Sequence, residues 1–447
     1  MNGGTWTPGV EKERAGIYFR FTSTANERLS VGERGRVAIP LVLSWGEPKK
    51  FIEISTVDDV QKKIGLDIND PSLLLLREAK KRSQTVLAYR VNEGTKATAT
   101  LAAGQTVTAV YGGSKGNDIT IVIGPNVLDS AKKDVTTFVG TKAVDKQTVA
   151  DFGELKANGY VTFAGTGELS DTAGTKLTGG QDGTPTNLDY TDFLAAAETE
   201  YFDTIALPVD DEQLKTTFVS FVKRIRDEQG LKIVGVLSNY PANYEGIINV
   251  TNGVILEDGT ILSPTETVAW VAGASAGATI NQSLTFVEYD GAIDVSPRFD
   301  NDEIIERLAN GEFIFTYDSR DKVATVEKDI NSFVSFTKEK NKKFQKNKII
   351  RILDAINNDI TRELKNEIKE RKDQGIDIPT NDDGIQIINT LVTIYMTTLQ
   401  EGGAIKNFNS QNDIQISTNE DGDGFFINVG VQPVDSAEKF YFGVEIS

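Results

Sequence analysis

The chain has 447 residues, a formal net charge of -18 and 39% apolar residues, which is more than a single core organises and enough to bury a core in each of several domains. The negative balance excludes a dedicated nucleic-acid protein, because phosphate binding needs a positive face that gains from counterion release. Zero Cys and zero His exclude disulfides, thiolate or imidazole metal sites and every catalytic arrangement that uses histidine as its base.

The opening, Met1-Asn2-Gly3-Gly4-Thr5, has neither a basic nor an apolar region, so no signal peptide is expected. Residues 1–22 read as an extended arm whose strand centres on Ile17, Tyr18, Phe19, Arg20 and Phe21 and has no hairpin partner nearby. Residues 23–91 form an α/β segment: a strand over 36–44, a helix opened by Ser55 or Thr56, a second opened by Asp70-Pro71, and a strand over 85–91. Asp70 as N-cap with Pro71 at the first helical position is a start signal, since proline's missing N–H costs nothing there.

From residue 92 to 180 the sequence turns to short Thr/Val/Gly/Ala runs, including 106–111, 118–123 and 160–164, which predict an inserted β-sandwich. Gly179 to Pro185 reads as the linker closing it. Residues 181–337 alternate helix and strand. Tyr190, Phe193, Leu194, Ala197 and Tyr201 share one helical face, and Leu214, Phe218, Phe221, Val222 and Ile225 another, with strands at 202–207 and 231–237. A parallel sheet flanked by helices follows. The uncharged stretch 267–287 is too polar to span a membrane. Residues 338–447 read as a last domain with a long helix carrying Ile349, Leu353, Ile356, Ile360, Leu364 and Ile368, a second carrying Ile387, Ile388, Leu391, Ile394 and Leu399, and strands at 425–434 and 440–446.

Motifs with catalytic spellings weigh little here. Gly273-Ala274-Ser275-Ala276-Gly277 matches G-x-S-x-G, but the serine lacks a histidine partner and lies in an Ala-rich stretch that predicts a closely packed helix. Ser335-Phe336-Thr337-Lys338 and Ser436-Ala437-Glu438-Lys439 match S-x-x-K without the accompanying elements of that enzyme class. Asn419 to Gly424 spells the start of a calcium loop, yet the twelfth position is Gly430 where a bidentate Glu belongs, so a β-turn is the reading. No catalytic, cofactor or metal site is expected.

Two features stand out. Lys340, Lys342, Lys343, Lys346, Lys348 and Arg351, preceded by Lys338, form a basic run in an acidic chain: either a solvated face or a docking surface for an acidic protein. Aromatic, β-branched strands also sit at both ends of the chain, the second comprising Phe440, Tyr441, Phe442, Val444 and Ile446. They either pair within the chain or add to the sheet of another copy.

An N-terminal Gly-Gly-Thr-Trp followed by Pro-Gly-Val and an aromatic strand, the stretch Val326-Glu327-Lys328-Asp329-Ile330-Asn331-Ser332 before a basic segment, then Ile349-Ile350-Arg351-Ile352-Leu353-Asp354-Ala355-Ile356, Gly402-Gly403-Ala404-Ile405 and the ending Val431-Gln432-Pro433-Val434-Asp435-Ser436-Ala437-Glu438-Lys439-Phe440-Tyr441-Phe442 resemble, in order and spacing, the contractile tail sheath family of phages and phage-tail-like bacteriocins. The resemblance implies a multidomain α/β and α+β chain with a subtilisin-like inner architecture lacking a triad, an outward β-sandwich, and terminal strands exchanged between neighbours. It implies no enzyme activity, and a helical polymer around a tail tube that contracts from a metastable state, meeting baseplate and terminator proteins, without nucleic acid or membrane insertion. The expected place is a virion tail or tail-like particle assembled in bacterial cytoplasm. The basic run then becomes the candidate tube-facing surface, with residues 362–372 as the alternative. A sheath of a related injection or secretion system, a monomeric surface-binding module and, given Ser275, a serine hydrolase are the rival readings.

Overall fold

The computed structural model describes residues 34–102 and 104–446. They fall into two compact units, one of residues 34–362 with 432–446, the other of residues 363–431.

The larger unit is organised by a seven-stranded sheet in the order Glu312–Phe313, Ile247–Val250, Val234–Ser238, Thr204–Ala206, Arg36–Leu41, Thr85–Arg90 and Phe51–Ile54. Every neighbouring pair is parallel except the last. Successive strand residues point to opposite faces, and the burial follows that alternation. Val37, Ile39, Leu41, Val86 and Ala88 belong to one buried cluster together with the helix Pro264–Gly277. Ala38, Leu87 and Tyr89 belong to a second, with the helices Asn187–Ala197 and Glu212–Lys223. The result is three layers, with helices on both faces of a mostly parallel sheet.

Local signals account for the helix starts. Thr56 closes a capping box with Asp59, and the Asp70 side chain accepts from the Ser72 N–H ahead of a short turn, Pro71–Leu73, that leads into Leu74–Lys80. The Pro264–Gly277 helix opens on a Ser263/Glu266 capping box and is buried nearly all round. The Gly273-to-Gly277 motif therefore lies inside a helix, and its glycines face backbone. A Cβ on Gly273 would stand 2.1 Å from the Ala79 carbonyl oxygen, and one on Gly277 1.9 Å from that of Arg82. Small residues here let two helices touch, which is the packing role read from the sequence.

The chain leaves this body after Thr85–Arg90 and builds two antiparallel sheets. One has the order Thr172–Lys176, Ile119–Pro125, Lys133–Val139, Lys142–Val149; the other Lys96–Ala102, Gln105–Gly112, Val161–Ala164. Val107, Ala109, Ile119, Ile121, Val135 and Val161 are buried together and continue the first cluster. The return is tied down, not loose. The Thr95 N–H donates to Gln181 O at 2.7 Å, Asn92 Nδ2 to Asp182 O at 2.5 Å, and Arg90 Nη2 to Gly112 O at 2.7 Å. The 179–185 linker is thus a clamp at the root of the insertion, and residues 36–90 share one sheet with residues 204–313.

In the smaller unit the helix Asp382–Glu401, capped by Asn381, buries Ile388, Leu391, Val392, Tyr395, Met396 and Leu399. A hairpin follows, Ile414–Thr418 paired with Phe425–Val429. Its turn is held by Asn419, whose side-chain oxygen accepts from the Asp423 and Gly424 N–H groups, so the calcium-like spelling is a turn. Among the described residues no group of acidic side chains is arranged to hold a metal ion, and no helix is long and apolar enough to cross a membrane.

Candidate functional site

Ser275 is buried on its helix. Ser335 Oγ accepts from Asn243 Nδ2 at 2.7 Å, and Ser436 Oγ accepts from Lys348 Nζ at 3.1 Å, so neither serine of the S-x-x-K spellings is activated by the lysine of its own motif in these contacts. The features that remain are surfaces.

The amino-terminal strand Ile17, Tyr18, Phe19, Arg20 and Phe21 lies outside the described residues. The carboxy-terminal one is visible as a run with neither helix nor strand from residue 434 to 446. Residues 433, 434, 436 and 438 are half-covered, and from Phe440 onward every described residue is exposed. Phe440 is 69% exposed, Tyr441 88%, Phe442 87%, Val444 84% and Ile446 95%. A segment this apolar in water lacks the burial that would stabilise it, and in this chain it is not part of any sheet.

The hairpin Ile414–Thr418/Phe425–Val429 is a two-stranded sheet among the described residues, and Phe426 on its second strand is 62% exposed. Two strands are marginal alone, and among the described residues no further strand pairs with either outer edge.

The basic run divides. Lys342 and Lys343 are exposed on the turn Lys342–Gln345, and Lys340, also exposed, pairs with Glu245. The remaining three correct the expectation of a continuous basic face. Lys346 Nζ contacts Asp435 at 2.7 Å and Glu438 at 3.4 Å. Lys348 is buried against Ser436. Arg351 is 3% exposed, donates to Gln282 O at 2.6 Å and stands 3.8 Å from Asp329. Burial lowers the pKa of Lys348 and of Arg351, whereas at Lys346 the two carboxylates outweigh burial and raise it. These positive groups meet negative or polar groups of their own chain, Lys346 and Lys348 in residues 435–438 and Arg351 at Gln282 and Asp329.

Sequence reading missed a second buried network. Arg226 Nη1 and Nη2 donate to the two Asp354 oxygens at 2.7 and 2.8 Å, both residues being nearly inaccessible. A widened turn, Arg224–Glu228, at the end of the Glu212–Lys223 helix buries Ile225 and Arg226 together. In the smaller unit a groove of about 510 Å³ is lined by Glu367, Arg371, Gln386, Ile387, Leu391 and Ile394, among others. Arg371 is paired there with Glu367 at 2.5 Å, within the alternative region 362–372.

Four family models match in sequence along the chain: the tail sheath protein domain III N-terminal region over residues 34–91, the phage tail sheath β-sandwich domain over 92–182, the phage tail sheath protein central domain over 183–332 and the phage tail sheath C-terminal domain over 339–447. The phage-like element PBSX protein XkdK of Bacillus subtilis is 62% identical over 466 residues, covering 100% of both chains. The crystal structure of the sheath tail protein Lin1278 from Listeria innocua is 57% identical, covers 93% of this chain and 96% of that one, and superposes with a TM-score of 0.81. The contracted helical sheath of the anti-feeding prophage shares the fold at 13% identity, with a TM-score of 0.57 over 97% of this chain and 99% of that one.

Proposed function

This chain belongs to the phage tail sheath family, and from that premise we propose that its copies are linked into a helical polymer by terminal strands that add to the hairpin of a neighbour. As a member of that family it is a structural subunit of a contractile sheath and not an enzyme. The observation that carries the linkage is the exposed run Phe440–Ile446, which belongs to no sheet, in a chain whose hairpin pairs with no third strand among the described residues.

In an extended strand Phe440, Phe442, Val444 and Ile446 fall on one face and Tyr441 and Glu445 on the other. Strand addition satisfies the open backbone groups of the hairpin and buries that apolar face at the same time. Each fully buried side chain of this size contributes about 1.5–3 kcal/mol, so an arm supplies several kcal/mol per contact. Ile17, Tyr18, Phe19, Arg20 and Phe21 are assigned the same role at the other end, and the three-layer body the role of a subtilisin-like inner domain. Lys342 and Lys343, with Lys340, are the part of the basic run open to a tail tube.

Contraction then needs no catalytic group. Arms keep neighbours joined while the bodies repack from a metastable to a more stable arrangement, and each shift biases the next subunit. The setting is a virion tail or tail-like particle built in the bacterial cytoplasm, ending on baseplate and terminator proteins.

Deleting residues 440–447 tests the linkage. The expected product is a folded subunit, by circular dichroism, that forms no striated cylinders in negative-stain images. Cylinders of normal order from the truncated chain would refute strand exchange.

A further inference from the structure

We propose that Lys346 and Lys348 form a clasp that fixes the root of the carboxy-terminal arm to its own subunit, so that the arm leaves the body from one defined point. The inference rests on the arm reading above and adds what controls it. Three contacts join the clasp to residues 435–438: Lys346 to Asp435 at 2.7 Å, Lys346 to Glu438 at 3.4 Å, and Lys348 to Ser436 at 3.1 Å. The clasp itself is held rigidly. The Asn331 N–H donates to Gln345 O at 2.9 Å and the Asn347 N–H to Asp329 O at 3.1 Å, pinning the backbone on both sides of Lys346. Lys348 lies in the first turn of the long helix Asn347–Asp373 and is buried.

The change in exposure marks where the clasp ends. Glu438 is half-covered, Lys439 is exposed, and every described residue beyond is exposed. A flexible root would let the arm sample a large volume and lower its effective concentration at one neighbouring hairpin; a pinned root keeps it near. The acidic residues Asp435 and Glu438 are therefore the arm's anchor, and the basic run spends its charge within the chain at Lys346 and Lys348.

The test uses the full-length monomer and amide hydrogen exchange over residues 432–439. Lys346→Glu removes two attractions and adds repulsion, and exchange in this segment is expected to rise about 10-fold. Restoring the opposite signs with Lys346→Glu, Asp435→Lys and Glu438→Lys together is expected to return exchange and cylinder formation toward the wild type. Unchanged exchange in Lys346→Glu overturns the clasp. Faster exchange with wild-type cylinders overturns its role in placing the arm. Should Lys346→Glu fail to fold by circular dichroism, Lys346→Gln, which deletes the charge without repulsion, is read against the same criteria. The 440–447 truncation separates the two proposals: intact cylinders from it refute strand exchange, whatever the exchange rates at 432–439.

Discussion

Replacing Asp354 with Ala removes the carboxylate that holds Arg226, and the structure sets the size of the effect. Burial alone disfavours the Arg226 charge, and Asp354 outweighs it, raising the guanidinium's pKa above its usual value. Without Asp354 the guanidinium keeps the Ile233 carbonyl at 2.6 Å and the face of Tyr244, 5.9 Å from its centroid, while its Nε already lacks a partner. A buried charge left in that state costs about 3–5 kcal/mol. The same reasoning says that Arg226→Met with Asp354→Leu, which removes both charges and keeps apolar volume, lies within about 2 kcal/mol of the wild type. Urea unfolding of the monomer, followed by far-ultraviolet circular dichroism, measures all three proteins. A cost below about 1 kcal/mol for Asp354→Ala, or a double variant no better than the single, would refute the claim that the pair is buried and mutually dependent.

Gly273→Ala is expected to destabilise the monomer by about 1–3 kcal/mol or more, because its Cβ meets a helix backbone and not a movable side chain; an unchanged urea midpoint would contradict the close approach. Asp203 supplies a pH test. Its carboxylate accepts from the Gly35 and Arg36 N–H groups, but burial outweighs these and Arg34, raising its folded-state pKa. The protonated form is thus favoured by folding, a contribution complete below the unfolded value of about 3.9 and lost as pH rises through the raised folded value. Wild-type stability measured against Asp203→Asn should therefore fall across that window and be level above it; a relative stability that climbs with pH would contradict the burial effect.

Patterning made much of the fold legible. Leu214, Phe218, Phe221, Val222 and Ile225 are all buried, as their spacing requires, and alternating strand and helix gave the parallel sheet. Strands Lys133–Val139 and Lys142–Val149 were not read, because Thr137 takes a buried position on the first and only Val149 is buried on the second, while Lys96–Ala102 keeps a period of two but has only Ala97 and Ala99 as buried residues to mark it. On the helix Asn347–Asp373 the buried set is Ile349, Ile350, Ile352 and Ala355 together with the polar Asn347, Lys348, Arg351, Asp354 and Asp359, whereas Leu353, Ile356 and Ile360 are half-covered and Ile368 is exposed. Hydrophobic periodicity reads a charged residue as outward; it cannot see that a partner over a hundred residues away lets it turn in. The basic run failed as a continuous surface for the same reason: Lys346 and Lys348 find partners about ninety residues downstream and Arg351 finds Gln282 and Asp329 upstream.

Charge and strand length together restrict how copies can join. Each subunit carries a formal net charge of -18, so like charge opposes approach within about a Debye length, about 8–10 Å at physiological salt. On the proposed strand exchange, linkage draws on short-range terms, backbone hydrogen bonds and apolar burial, that act once an arm is in register. The arm suits this. Its seven exposed residues, 440–446, span about 23 Å when extended, which covers the five-residue strand Phe425–Val429 with a residue to spare at each end. Alternation along it leaves one apolar face to bury, and a slip by one residue would turn that face outward, so register is set by the same side chains that supply affinity. On the proposed strand exchange, an acidic chain with a short aromatic arm would stay separate until a neighbour presents a strand edge at arm's length.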